Sequence, residues 1–447
     1  MHQIVSTEII ILLTSFIIYY KFHYERKFIS LLFKKVVIYL PLTDNDYQQL
    51  IQVKKDKSKN IQGIVRSCEI EEYALKAQDE NFYKFDLIVL FYLCNLTTVV
   101  VNEFKNIIIA VFFKEDIISV NTFNIISSFV LISFTYFIYL NLRFFIFKDG
   151  YKKIEAKTFY VNFSICFIAF LLIQIYKEEF LNFNYNSVLE IINDRIYSIL
   201  SYTEYTFKNE KNMLSKIHIQ ILFSIIFSIY TSILYRPSMR YSYFDHFLLL
   251  ACEKAENENI KNSKLELVIK FKSIFNIFSL FLLLEPISNY IFDNYIILKS
   301  YSNAIIIIFL FISFILELIC GIYEIWYIAF MFHAQNYNEI LNFSKNPSKE
   351  QLKTHRLYMN LVNTRFWDII SHIFYLVFIP VLILFCYFSR SNIIQTLIFN
   401  KKLELKKYLL EDILYIILLS FSFAKAIIQN GNLFYIIFMK IIHVPLY

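Results

Sequence analysis

The stretch from Ala304 to Phe332 reads AIIIIFLFISFILELICGIYEIWYIAFMF, and it decides the fold class. Glu317 and Glu324 are its only charged residues. An apolar helix of this length is long enough to cross the ~30 Å hydrocarbon layer of a bilayer. The stretch therefore predicts a transmembrane helix.

The composition extends this interpretation to the whole chain. Its 447 residues are 57% apolar, 19% aromatic and 18% charged, whereas a soluble domain is typically about 45–50% apolar and 25% charged. Apolar runs separated by charged interruptions predict an all-α fold, a polytopic transmembrane helical bundle of about nine spans, roughly eight to ten. The predicted spans are residues 4–20, 85–101, 123–147, 159–176, 217–235, 271–292, 304–332, 369–388 and 409–428.

The chain divides into three predicted regions: a membrane anchor at 1–23, a cytoplasmic polar loop at 24–84 and a multi-span domain at 85–447. Lysines set among apolar residues predict an interfacial amphipathic helix from Phe28 to Tyr39, and a second is predicted from Ser187 to Phe207. Leu433–Ile442 is interpreted as an incomplete tenth span or an interfacial helix. Pro237 and Pro380 are interpreted as a helix end and a kink.

Lys and Arg residues concentrate in alternate loops, which predicts a lumenal or extracellular N-terminus. The loop before the last predicted span disagrees with this orientation, so the number of spans after residue 390 stays open. The predicted localisation is a membrane, either an endomembrane or the plasma membrane.

Several classes of function are excluded by what the sequence lacks. Four scattered glycines cannot build a P-loop or a Rossmann phosphate turn. Six scattered cysteines form no CxxC pair, which argues against a zinc ribbon. We find no catalytic motif and no basic stripe for nucleic acid. The chain is predicted to be non-enzymatic, with no cofactor, no metal and no nucleic-acid partner.

Ionisable residues inside apolar runs mark function or buried pairing, because charge is costly in lipid. Glu285 stands directly before Pro286, which breaks the helical ladder and suggests a cation site. Glu317 and Glu324 lie two helical turns apart, on one face with Gly321 between them. Two interpretations remain open. The acids could form a ladder for a cation or proton, or they could pair with buried bases, for which Arg143 and Lys425 are the candidates.

Short motifs along the chain carry a family resemblance. PLTDNDYQQL (41–50) follows the N-terminal anchor, RPSMRYSYFDHFL (236–248) looks like a Pro-x-x-Arg turn that enters a helix, and LLLEPISNYI (282–291) carries a Pro-Ile-x-x-Tyr element. YIAFMFHAQNYNEIL (327–341) leads to an Ala-Gln pair. The family-like positions are Pro237, Arg240, Pro286, Ile287, Tyr290, Ala334, Gln335 and Pro380. In the order and spacing of these motifs, the chain resembles the transmembrane protein 161 family.

This resemblance implies a multi-pass membrane protein without enzymatic activity that modulates ion handling or a membrane complex. Its expected partners are the lipid bilayer and ion channels or other membrane proteins. Two alternatives remain: a cation or proton transporter or channel that uses Glu285, Glu317 and Glu324, and an accessory subunit of a large membrane complex.

Overall fold

The structure is a computed structural model, and it describes part of the chain. The described residues are 17, 20, 37–39, 67–69, 152–177, 180–181, 183, 185–201, 214–257, 263–293, 302–345, 370, 373, 376–377, 380–381, 383–384 and 409–439. The predicted anchor at 1–23, the polar loop at 24–84 and the second and third predicted spans lie wholly or almost wholly outside them.

The described part of the chain is almost entirely helical, which confirms the predicted helical class there. The helices are α1 (Lys152–Tyr176), α2 (Tyr185–Ser201), α3 (Lys216–Asn257), α4 (Ser263–Leu283), α5 (Glu285–Asp293), α6 (Ser302–Lys345), α7 (Leu409–Phe423) and α8 (Asn430–Phe438). A π-helix, Ala424–Gln429, joins α7 to α8.

One short antiparallel ribbon departs from the helical pattern. Strand β1 (Val37–Tyr39) pairs with β2 (Ser67–Glu69), and Ile38 faces Cys68. The predicted amphipathic helix at 28–39 is therefore wrong for its last three residues. Val, Ile and Tyr are good strand formers, and here pairing with a distant segment prevails over the helical pattern.

Four helical segments in the described residues are long and apolar enough to cross a membrane: Lys157–Tyr176, Lys216–Leu250, Ile308–Met331 and Asp412–Phe438. The pair Leu265–Leu283 and Pro286–Phe292 makes a fifth if it is counted as one bent segment. These five correspond to the fourth to seventh and the ninth predicted spans. The total of about nine stays a prediction.

Helix α3 lies at the centre of this bundle. It contacts α1, α2, α4, α6, α7, the π-helix and α8. The prediction that Pro237 ends a helix is wrong, because α3 continues through it to Asn257 and the residue is buried. Proline removes one backbone hydrogen bond, and burial of both flanking halves of α3 offsets that loss. The 236–248 motif is accordingly helical and not a turn.

The C-terminal segment is also longer than predicted. Residues 409–438 form one continuous helical run, with a π-helix in the middle where α-helical spacing is interrupted. Asn430 donates its backbone N–H to the Lys425 carbonyl, five residues back, which is the π pattern. Leu433–Phe438 therefore continues the last span-length segment and is not a separate element.

A sharp bend separates α4 from α5. The two helices meet at 95° around Leu284, next to Pro286. Proline cannot donate to the preceding turn, so a carbonyl there needs another donor. The Leu283 carbonyl also loses its helical donor at the bend, because the Ile287 N–H donates to the Leu284 carbonyl at 3.1 Å instead. The Tyr415 hydroxyl of α7 donates to the Leu283 carbonyl.

The helices have an inverted amphipathic pattern. On α4, the large apolar side chains Phe271, Ile274 and Phe278 are exposed. Asn276 and Ser279, which are polar, are buried on the opposite face. A soluble helix has the reverse arrangement, whereas an apolar outer face suits a lipid surround. This pattern explains why polar groups gather inside the bundle.

Gly321 on α6 permits a close helix approach. A Cβ atom there would lie 2.9 Å from Val377 Cγ2 and 3.0 Å from Val377 Cγ1. Val377 is fully buried, so its two methyl groups cannot both move away. At Gly431, by contrast, an added Cβ meets nothing within 4 Å.

We predict that Gly321→Ala lowers the free energy of unfolding by about 1–3 kcal/mol, because overpacking strains a close-packed interior. Gly431→Ala is the matched control, and it should leave stability unchanged or slightly raised, since alanine is the better helix former. Thermal unfolding of both variants in mild detergent measures the difference. Equal midpoints for the two variants would contradict the prediction.

Candidate functional site

Five ionisable side chains meet inside the bundle, and we call them the ionic cluster. Helix α3 contributes Asp245, α4 contributes Lys272, α6 contributes Glu317 and Glu324, and the π-helix contributes Lys425. Each is at most 1% exposed. Charged groups in such surroundings are stable only when they are paired or neutralised.

Lys272 lies at the centre of the ionic cluster. Its ammonium group donates a hydrogen bond to Asp245 Oδ1. The same nitrogen lies 3.8 Å from Glu317 Oε2 and 3.6 Å from Glu324 Oε1. It also lies 4.5 Å from the centre of the Tyr241 ring, which is within cation–π range. One ammonium group thus holds carboxyl groups from two other helices.

Amide and hydroxyl side chains support the carboxylates. Asn276 Nδ2 donates to Glu317 Oε1 at 2.5 Å, and Ser313 Oγ donates to Asn276 Oδ1 at 2.6 Å. Gln429 Nε2, from the π-helix, donates to Asp245 Oδ2 at 2.9 Å. These bonds fix the orientation of Glu317 and leave both oxygens of Asp245 with a donor.

Other polar atoms of the cluster have no hydrogen-bond partner among the described residues. Both carboxyl oxygens of Glu324, Glu317 Oε2 and Lys425 Nζ are in this state. Lys425 Nζ lies 4.5 Å from the centre of the Phe314 ring and interacts electrostatically with Glu317. Unsatisfied buried groups are costly, and in native structures they often mark a functional site.

The charges of the cluster do not balance. Asp245, Glu317 and Glu324 are three carboxyl groups, and Lys272 and Lys425 are two ammonium groups. If all five were ionised, the cluster would carry one negative charge in excess at zero solvent exposure, counted over the described residues. A proton or a monovalent cation neutralises a site of this kind.

The structure brings together some of the predicted site residues. Glu317 and Glu324 are about 10 Å apart along the helix axis at 1.5 Å per residue, but their side chains converge on Lys272. They therefore form one compact site around Lys272. Lys425, a predicted partner, lies at the same site, whereas Arg143 lies outside the described residues.

The remaining predicted positions are not among the five residues of the ionic cluster. Glu285 begins α5, and its side chain is outside the described part of the chain; Pro286 follows it at the bend. Among the family-like positions, Pro237 and Pro380 are buried, Arg240 and Ile287 are half-buried, Tyr290 is exposed, and Ala334 and Gln335 lie on α6 with side chains outside the described part.

Two central residues, Asp245 and Lys272, were missed by the sequence analysis. Asp245 lies beyond the fifth predicted span, which ends at residue 235, before Pro237. Lys272 is the second residue of the sixth predicted span, 271–292, but it was not considered as a partner for the acids. A usable signal was present, because Lys272, Asn276 and Ser279 follow helical spacing along one otherwise apolar helix. Ser313, Glu317, Cys320 and Glu324 show the same spacing on α6.

A second polar contact joins α1 to α3. Gln174 Nε2 donates to Ser224 Oγ at 2.7 Å, and Gln220 Nε2 donates to the Gln174 carbonyl at 3.2 Å. The Tyr185 hydroxyl donates to Gln174 Oε1 at 2.8 Å. All groups here are neutral and find partners, so this network is an interhelical contact.

Comparisons with family models, with curated proteins and with solved structures found no match. The resemblance to the transmembrane protein 161 family therefore stays a prediction. Any statement about function must come from the geometry of the ionic cluster.

Proposed function

We propose that the chain is a multi-pass membrane protein that moves protons or small monovalent cations across a membrane by way of the ionic cluster. The observation that carries this proposal is the buried excess of one carboxyl group over the ammonium groups. A site of this kind reaches neutrality by binding one positive charge, and release of that charge is the elementary event of transport.

Three features of the surrounding helices support this proposal. The cluster draws on three helices and a π-helix, and π-helical segments are frequent at functional sites. The bend at Leu284 gives a discontinuous helix of the kind that transporters use near their binding sites. Lys425 and Gln429, both in the π-helix, reach the cluster, so a change in that segment would alter its charges.

The second candidate is the non-transporting membrane protein that the sequence resemblance implies, which modulates ion handling or acts as an accessory subunit. The complete burial of the cluster and the pairing of Lys272 favour it. In this case the ionic cluster fixes the register of the helices and conducts nothing.

Ion flux separates the two candidates. We expect the purified full chain in liposomes to dissipate a pH, Na⁺ or K⁺ gradient, followed with dyes sensitive to each ion. Glu317→Gln removes one cluster carboxyl with little change in shape, and it should reduce the flux to that of protein-free liposomes.

Glu266→Gln is the matched control, because Glu266 lies on α4 outside the cluster and pairs with the exposed Lys270. Its flux should equal that of the wild type. Lack of flux in the wild-type protein would remove the transport proposal and favour the second candidate. Full flux in a folded Glu317→Gln variant would separate transport from the cluster.

A further inference from the structure

The positions at which a positive charge could bind limit the identity of the cation that the ionic cluster takes. Lys272 Nζ already occupies the point at which the three carboxyl groups converge. A Na⁺ or K⁺ ion at that point would have to displace the ammonium group. Among the described residues, no group of three His, Cys, Asp or Glu side chains is arranged to hold a metal ion. The geometry disfavours a metal cation at the centre of the cluster.

The distribution of hydrogen-bond donors points to a different position. Both oxygens of Asp245 accept hydrogen bonds, one from Lys272 and one from Gln429. Neither oxygen of Glu324 accepts any from the described residues. The Glu324 and Asp245 carboxyl groups lie side by side, because Lys272 Nζ donates to Asp245 Oδ1 and lies 3.6 Å from Glu324 Oε1. Two carboxylates cannot form a hydrogen bond with each other, whereas a carboxylic acid and a carboxylate can.

We infer that the ion bound by the ionic cluster is a proton, held on Glu324 and donated to Asp245. The proton adds to a Glu324 oxygen and forms an O–H bond, and that hydroxyl donates to an Asp245 oxygen. Two carboxylates then face two ammonium groups, so the buried charge is balanced. This inference rests on the proposed function, since it names the ion that the same site handles.

The surroundings of Glu324 agree with this assignment. Among the described residues, the titratable groups that interact with it are Tyr241 and Asp245 from α3, Lys272 from α4, and Glu317 and Cys320 from its own helix. Lys425 interacts with Glu317 and Lys272 instead. Lys272 is thus the one cation in this set, and it already has a hydrogen bond to Asp245. A proton supplies the donor that Glu324 lacks.

Infrared spectroscopy of the full chain in detergent at neutral pH tests the inference. The difference between spectra recorded in H₂O and in D₂O identifies the C=O stretch of a protonated carboxyl group, because this band shifts in D₂O. We expect the band in the wild type and its loss in Glu324→Gln. We also expect its loss in Asp245→Asn, because the amide then donates to Glu324 and the proton leaves. Glu266→Gln should keep the band.

Each outcome is decisive. A band that is absent from the wild type, or that survives in folded Glu324→Gln and Asp245→Asn variants, overturns the inference even if the liposomes show Na⁺ or K⁺ flux. A band that behaves as expected in a protein without flux supports the proton site and removes only the transport proposal. If Glu324→Gln does not fold, the Asp245→Asn variant alone tests the inference, because it removes the band by replacing the proton on Glu324 with an amide donor.

Discussion

Replacing Lys272 with methionine is expected to lower the free energy of unfolding by roughly 3–5 kcal/mol, because it removes one partner of a buried ion pair. The cluster would then contain three carboxyl groups at zero solvent exposure and one ammonium group, that of Lys425, which interacts with Glu317. Methionine is close to lysine in shape and is apolar, so the loss reflects charge and not a cavity. Unfolding in detergent, followed by circular dichroism, measures the change.

Lys270→Met is the matched control. Lys270 lies two residues away on the same helix and pairs with Glu266, but its side chain is 66% exposed. Exposed ion pairs contribute about 0–1 kcal/mol, so this variant should be close to the wild type in stability. If both lysine variants lose the same stability, the effect belongs to helix α4 in general, and the central position of Lys272 would be refuted.

The sequence predicts the helical elements well for a physical reason. Apolar length and helical periodicity are local properties, and a low-dielectric surround requires backbone hydrogen bonds to close within each helix. The residues around Glu317 and the run beginning at Leu409 were therefore placed on helices without knowledge of their neighbours. Pro237 was misjudged because its effect depends on how firmly the flanking residues are buried, which is a tertiary property.

The ionic cluster could be predicted only in part. Acidic residues inside an apolar run, such as Glu317 and Glu324, are conspicuous because their cost in lipid is high. Lys272 stands at the edge of its apolar run, where a lysine is ordinarily explained by a solvated end. The place of Asp245 in the cluster could be predicted only if α3 were known to continue past Pro237. Which base meets which acid is set by helix packing, and no local pattern in the sequence contains that information.

A double substitution tests whether the charges act as one cluster. Lys272→Met alone leaves three carboxyl groups for one ammonium. Lys272→Met combined with Asp245→Asn leaves two carboxyl groups for one ammonium group. The carboxyl groups then outnumber the ammonium groups by one, as they do in the wild type. We expect the double variant to recover roughly 0.5–3 kcal/mol relative to the sum of the two single losses, a typical coupling energy for residues in direct contact. Denaturant or thermal unfolding of the four proteins gives this value.

The control pair is Lys272→Met with Glu266→Gln, which removes a negative charge from the same helix but outside the cluster. Its losses should add, because Glu266 pairs with Lys270 and does not contact Lys272 among the described contacts. A second double variant, Lys272→Met with Glu324→Gln, separates two physical cases. Equal recovery from either carboxyl means that the whole cluster shares one charge balance. A larger recovery of unfolding free energy with Asp245→Asn means that the direct bond between Asp245 and Lys272 contributes most of the coupling. If the losses of the single variants simply add in both double variants, the residues do not act as a coupled site.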